Sequence, residues 1–285
     1  MPGASAASVP ALADPAGAGG RRWADLRTRT LSAVVLGPAV VACVWYGGWF
    51  WFFLMALAAG LLMAEWCVMA GRKGKPFATA TLQFVGPAAA MLLLVGRPSW
   101  AVAALLVAGA ICWLSSHRAV LASGVLYIGF PLLCLAALRG ADEAGRNNVL
   151  FLVAIVWASD IGAYITGRLV GGRKLAPAIS PGKTWSGAAG GLFAATVVGG
   201  TVAVTLGAAS PGYAALAAGL LGIASQFGDL LESWIKRHFG VKDSGSLIPG
   251  HGGLLDRLDG LLAAAAAAFL LMNTGAFGRG GVLWT

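Results

Sequence analysis

Apolar runs long enough to cross a lipid bilayer recur along almost the whole chain, and no other feature narrows its possible folds so far. A helix needs about 20 largely apolar residues to span the hydrocarbon. Windows of that size fall near 31 to 47, 49 to 70, 78 to 95, 99 to 115, 119 to 138, 148 to 169, 185 to 207, 211 to 234 and 253 to 272. Only 11% of the 285 residues are charged, under half of the roughly 25% usual in a soluble domain, so water is the wrong solvent for this chain. The 42 glycines lie within the apolar runs, which excludes collagen-like and disordered readings and suits helices that pack backbone to backbone in lipid. The predicted fold is all-α: a polytopic transmembrane helical bundle of about nine spans.

Nine spans put the termini on opposite sides of the membrane, and the basic residues say which side is which. With a cytoplasmic N-terminus, the inside segments hold Arg21, Arg22, Arg27, Arg29, Arg72, Lys73, Lys75, Arg118, Arg168, Arg173, Lys174, Lys183, Lys236, Arg237, Lys242 and Arg257. Arg97, Arg139, Arg146 and Arg279 fall outside, and sixteen cations against four is a strong positive-inside bias. The formal charge of +9 then serves orientation and attraction to anionic headgroups, and no nucleic-acid partner is expected. Residues 1–30 read as a disordered segment that turns basic before the first span, rich in Ala, Gly, Pro and Ser. Residues 31–285 form the integral membrane domain. The cysteines Cys43, Cys67, Cys112 and Cys134 are scattered singly through apolar sequence and read as packing residues, lacking zinc or disulfide spacing. The two longest polar connections, about 168 to 184 and 235 to 252, both lie inside, so function is expected at the cytoplasmic face.

Ionisable residues within spans are costly and tend to carry function. Of eleven carboxylates, six occupy or adjoin spans: Glu65, Asp160, Asp229, Glu232, Asp256 and Asp259. Asp229, Ser233 and Lys236 are spaced by four and seven residues from Asp229 and so share one helical face, while Glu232 also stands four residues before Lys236 and offers a purely structural ion pair. Asp256 and Asp259 open the ninth helix after Gly250-His251-Gly252-Gly253. Capping explains carboxylates at a helix start; so does a phosphate site, since exposed amides there bind phosphate. Asp229 and Asp256 together supply two hard oxygen ligands for magnesium, which takes one or two carboxylates and completes its shell with water and phosphate. Ser180-Pro181-Gly182-Lys183-Thr184 supplies a turn, a cation and hydroxyls for a phosphate clamp. An ordinary basic loop with a Thr helix cap is the plainer alternative, and the spacing is not that of a P-loop. Glu65 reads as a helix-packing residue.

Ser233-Trp234-Ile235-Lys236-Arg237, Lys242-Asp243-Ser244-Gly245 and Leu247-Ile248-Pro249-Gly250-His251-Gly252-Gly253-Leu254-Leu255-Asp256-Arg257-Leu258-Asp259, taken in order, closely resemble the signature of the phosphatidate cytidylyltransferases, or CDP-diacylglycerol synthases. The similarity extends to Ser159-Asp160, Tyr164, Gly167 and the Ser-Pro-Gly-Lys-Thr loop. The resemblance implies transfer of a cytidylyl group from CTP to phosphatidic acid in phospholipid biosynthesis. It implies Asp229 and Asp256 as ligands of Mg2+, with Ser233, Lys236 and Asp259 in the same pocket and a second cation left open. It also allows a homodimer and places the chain in a bacterial plasma membrane. Where the family commonly has Glu-Gly after Lys-Thr-Trp, this chain has Ser186-Gly187.

In that chemistry Lys236, Arg257 and Lys183 would neutralise phosphate charge, and Ser233 would bond to metal or phosphate. Thr184, Ser180 and Asp160 would line the substrate site; for Asp160 a buried structural hydrogen-bond hub is the alternative. His251 would either donate to phosphate or shape its glycine turn. Three other readings compete. A secondary transporter would use intramembrane carboxylates near the midplane of repeated, broken helices, whereas here the polar signal gathers at one face without a repeat. A cytidylyltransferase with another lipid acceptor would carry the same motif, as would a scaffold that has lost catalysis.

Overall fold

The computed structural model describes residues 34–71, 76–117, 119–247 and 252–273; the expected N-terminal segment, His251 and Arg118 lie outside them. Among the described residues run nine helices: α1 (Val34–Tyr46), α2 (Gly48–Met69), α3 (Pro76–Leu94), α4 (Pro98–Ser116), α5 (Ala119–Arg139), α6 (Glu143–Leu169), α7 (Trp185–Thr205), α8 (Pro211–His238) and α9 (Leu255–Asn273). Six of them, α2 and α4 to α8, are long and apolar enough to cross a membrane. The apolar stretches of α1 and α3 are shorter (Val34–Tyr46 and Gln83–Leu94), and α9 carries Asp256, Arg257 and Asp259 in its first turns.

The segment expected to be a loop between α6 and α7 is instead a hairpin, the one departure from an all-helical fold among the described residues. Strands β1 (Lys174–Ala176) and β2 (Ser180–Thr184) pair antiparallel, Lys174 opposite Thr184 and Ala176 opposite Ser180. Thr184 ends β2 and caps α7, its hydroxyl accepting from Gly187 N at 3.1 Å, so the plainer helix-cap reading of that threonine holds as well.

Helix α5 stands between two groups. On one side it meets α2, α3 and α4, and on the other α6 and α9. Trp66 of α2 wedges its indole against Gly124 and donates to Val120 O at 2.9 Å, just before a π turn over Val125–Gly129; an intruding side chain is a known cause of such breaks in the helical ladder. In the second group, α6 to α9 pack through small residues. Gly187, Gly191, Ala195, Gly199 and Ala203, each four apart, form the buried stripe of α7. A Cβ on Gly191 would stand 2.8 Å from Ser159 O of α6 and 2.7 Å from Gln226 Nε2 of α8. Gln226 fastens the three helices, donating to Ser159 Oγ at 3.3 Å and Ala188 O at 3.1 Å.

Candidate active site

Glycines decide where the acids of α8 and α9 meet. A Cβ on Gly228 would come within 2.6 Å of Asp259 O, and one on Gly260 within 2.5 Å of Ser225 Oγ. The helices therefore cross almost backbone to backbone, as small residues permit. Asp229 and Asp259 lie at that crossing, and Asp160 of α6 is near enough for the three to feel one another's charge. Lys183 reaches in from β2 and sets its Nζ 2.5 Å from Asp229 Oδ2. The hairpin that carries Lys183 is tied to its neighbours by Trp185 N donating to Arg173 O (3.1 Å) and Arg237 Nε donating to Ile179 O (3.4 Å).

Asp256 is held from every side. Lys236 Nζ donates to its Oδ1 at 2.7 Å, Gly253 N donates to its Oδ2 at 2.9 Å, and Ser244 N is shared between the two oxygens at 3.2 and 3.1 Å. Lys236 also stands 2.5 Å from the fully buried Glu232, so the structural pair read from the spacing is present and extends into a triad. The amide of Gly253 makes Asp256 a helix-start residue too, a carboxylate reaching back one turn in the manner of a capping box. Capping and site membership are thus joint properties of this one side chain. Asp259 accepts from Gly260 N at 2.7 Å and turns toward the acids instead of the helix start.

A cavity of about 1830 Å³ gathers these groups. Asp160, Lys183, Thr184, Asp229, Lys236, Asp256, Arg257 and Asp259 line its polar end. Ser180 and Ser233 are half-buried and are not among its lining residues. Ser186 donates to Gly171 O and stands 3.0 Å from Thr184 Oγ1, bracing the hairpin against α7.

Among the described residues no three or more His, Cys, Asp or Glu side chains are gathered as a ready metal cage. Yet Asp229 and Asp256 each face the cavity with an ammonium at the carboxylate. Hard oxygens already holding cations, beside space for water and phosphate, are a donor set that fits magnesium.

One residue outside the signature stands behind Asp256. Glu65, from α2, accepts from Ser244 Oγ (3.1 Å), Leu254 N (2.7 Å) and Leu255 N (2.8 Å). It is therefore more than the helix-packing residue expected. The signal was in the sequence: a lone carboxylate in an apolar span needs partners, though nothing local names them.

Residues 27–274 match the profile of a family described as the Cytidylyltransferase family. This chain belongs to that family. The phosphatidate cytidylyltransferase of Brucella suis biovar 1 (strain 1330) is 45% identical over 256 residues, covering 86% of this chain and 93% of the relative. That of Bacillus subtilis (strain 168) is 38% identical over 148 residues, 52% of this chain and 55% of the relative. That of Mycobacterium leprae (strain TN) is 43% identical over 138 residues, 48% and 44% of the two chains. Because the Brucella match covers so much of the chain, the kinship of this cytidylyltransferase takes in the apolar first half as well as the signature.

Proposed function

We propose that this cytidylyltransferase transfers CMP from CTP to phosphatidic acid, giving CDP-diacylglycerol and pyrophosphate. The observation that carries the reading is one cavity graded from apolar to charged, as an amphiphile with a phosphate head requires. Helix α6 traces the gradient: Val149, Val153, Val156 and Trp157 line its apolar part, and Asp160, Ala163 and Gly167 its polar part. From residue 149 to 160 the helix rises about 16 Å, close to one leaflet of a hydrocarbon core about 30 Å thick. Acyl chains would lie between α2 and α6, both of which pack on α5, with the phosphate beside Lys183, Lys236 and Arg257.

A phosphatidate oxygen attacks the α-phosphorus of CTP, and the bond to the β-phosphate oxygen breaks as pyrophosphate leaves. The attacking phosphate is already ionised near neutral pH, so no general base is required. Two polyanions must meet, and the work of the site is to hold them in line and neutralise their charge. Lys183 and Lys236, each at a carboxylate in the cavity, are placed to turn to phosphate oxygens as substrate arrives, and Asp229 and Asp256 would hold magnesium. The bound ion would supply charge neutralisation at the transferring phosphate. Asp160 and Asp259 complete the acidic wall of the cavity.

The reading further places all nine helices across a bacterial plasma membrane, with the N-terminus and the hairpin end cytoplasmic. The sixteen-to-four distribution of cations supports that orientation. So does the contact of the α6–α7 hairpin with the C-terminal part of α8, both on the predicted inside. A homodimer is proposed on the same resemblance.

The test is conversion of labelled CTP by purified protein in nanodiscs with phosphatidic acid and magnesium, alongside an isoprenoid phosphate and an archaeal ether-lipid acceptor. CDP-diacylglycerol as the main product supports the reading. Product only from another acceptor moves the substrate assignment, and no nucleotide turnover with any lipid or divalent ion overturns it.

A further inference from the structure

We infer that Glu65 is a positioning residue for the transfer reaction: from a helix of the apolar half, it holds Ser244, Leu254 and Leu255 where the neighbouring backbone presents Asp256 to the cavity. The inference rests on the proposed function for its kinetic readout and on geometry alone for its structural one.

Glu65 is 7% exposed in a helix otherwise made of apolar and small residues. Its hydrogen-bond partners among the described residues are one hydroxyl and two backbone amides, none of them cationic. Leu254 and Leu255 begin α9, and the first amides of a helix have no partner within it. A carboxylate is a strong acceptor for them and is favoured by the helix dipole. Glu65 is thus a cap for α9 delivered from α2, nearly two hundred residues away in the chain.

Gly245 and Gly253 lie close against that carboxylate. A Cβ on Gly245 would lie 3.0 Å from Glu65 Oε1; on Gly253 it would lie 2.8 Å from Oε2 and run into Ser244 Oγ. Glycine at these two places leaves room for the acid. The groups bonded to Glu65 are also those that fix Asp256. Ser244 gives its hydroxyl to Glu65 and its amide to Asp256. Gly253, whose amide holds Asp256, immediately precedes Leu254, whose amide holds Glu65. Asp256 follows Leu255. Release of the Glu65 contacts therefore slackens both amides that orient Asp256, and with them the ion pair to Lys236. Glu65 is not among the residues lining the cavity, so its effect on the reaction passes through Asp256.

This role makes a prediction opposite to that of packing. For a residue that only fills space in lipid, Glu65→Gln is nearly isosteric and removes a charge that is expensive there, so it should be harmless or stabilising. For an acceptor of backbone amides it is the worst conservative change. Whichever way the Gln amide turns, its NH2 confronts the N–H of Leu254 or of Leu255, and a backbone amide cannot reverse its polarity. Glu65→Asp keeps the acceptor and shortens the reach by one methylene, so it should recover part of the function.

Purified Glu65→Gln, Glu65→Asp and Ser244→Ala would be compared with the unmodified chain for kcat, for KM toward CTP and phosphatidic acid, and for hydrogen exchange of the amides from 244 to 256. Misplacement by about 1 Å can cost roughly 100-fold in rate. The expected loss of kcat is of that order in Glu65→Gln, smaller in Glu65→Asp and smallest in Ser244→Ala, with both KM values within about twofold. Exchange at Ser244, Leu254 and Leu255 should quicken in the same order. A Glu65→Gln protein with unchanged kcat and unchanged exchange overturns the inference, as does a loss of activity that only tracks loss of folded protein. If Glu65→Gln does not assemble, Ser244→Ala and Glu65→Asp decide, and unchanged kcat and exchange in both overturn it. Absence of CDP-diacylglycerol from the unmodified chain defeats the proposed function instead, and leaves the exchange order to judge the positioning role.

Discussion

Helices α2 to α4 and helices α6 to α9 are made of similarly apolar sequence but differ in what their closest contacts bring together. Both groups turn large aromatics outward, among them Trp49 and Trp100 of the first and Phe193 and Phe227 of the second. The first contains a single carboxylate, Glu65, whereas the second holds Glu143, Asp160, Asp229, Glu232, Asp256 and Asp259. Helices that cross at Gly228 or Gly191 bring polar groups within bonding distance of each other. Helices α2 and α3 meet at Ala59 and Gly86 through apolar groups alone, so an acid there must find its partners elsewhere. Glu65 finds them on the second group, so the two regions share one site although the chemistry sits in the second.

The largest test of that contrast is Asp256→Asn, which keeps the shape and removes the charge that Lys236 and the two amides surround. Loss of one preorganised electrostatic group costs about 10²- to 10³-fold in rate. The upper end is expected here in CDP-diacylglycerol formation from labelled CTP, and retention of more than a tenth of the activity would dissolve the division between the two regions.

Packing should break next. Gly191→Ala puts a methyl group against Ser159 O and Gln226, and overpacking costs about 1–3 kcal/mol, read as a lowered thermal midpoint in detergent. Gly60 of α2 has nothing within 4 Å of an added Cβ, so Gly60→Ala should be neutral or gain up to about 1 kcal/mol from helix propensity. Equal responses at the two positions would show that the contact at Gly191 is no tighter than the open position at Gly60.

A bulky residue in the apolar part of the cavity should act on lipid selectively. Val153→Trp displaces about two methylenes' worth of acyl chain, and at about 0.8 kcal/mol each the KM for a long-chain phosphatidate should rise roughly tenfold. Dihexanoyl phosphatidate and CTP should be nearly unaffected. An equal rise for short and long chains would place the acyl groups outside this groove.

The smallest effect is expected at the opposite end of the bundle. There Arg139 donates to Val44 O at 2.6 Å and Trp45 O at 3.2 Å, closing α1 onto α5. Arg139→Lys cannot reproduce this fork. It should lower thermal stability by about 1 kcal/mol while kcat stays within about twofold, because none of these contacts reaches the acids.

Much of the fold was legible in the residue order. The span windows near 49 to 70, 119 to 138 and 185 to 207 fall on α2, α5 and α7 within a few residues, because hydrocarbon thickness imposes a length that can be counted. The hairpin around Lys183 was not legible. Ser180-Pro181-Gly182-Lys183-Thr184 has no alternation of apolar and polar residues, and its pairing is held in place by Arg173 and Arg237, which contact neighbouring segments. The Glu232–Lys236 pair could be read from a four-residue spacing. The Lys236–Asp256 and Lys183–Asp229 pairs could not, since each joins separate elements.

Composition and order determined on their own that this chain belongs in a bilayer, roughly where its helices run, and which short stretches carry its signature, because solvent preference and helical period are local properties of a sequence. Only the tertiary structure decided which carboxylate answers which cation, that Lys183 closes on Asp229, and that Glu65 of the second helix caps the ninth. Those choices depend on how closely backbones cross, and that distance is set by glycines on two helices at once, far apart in the chain and adjacent only after folding.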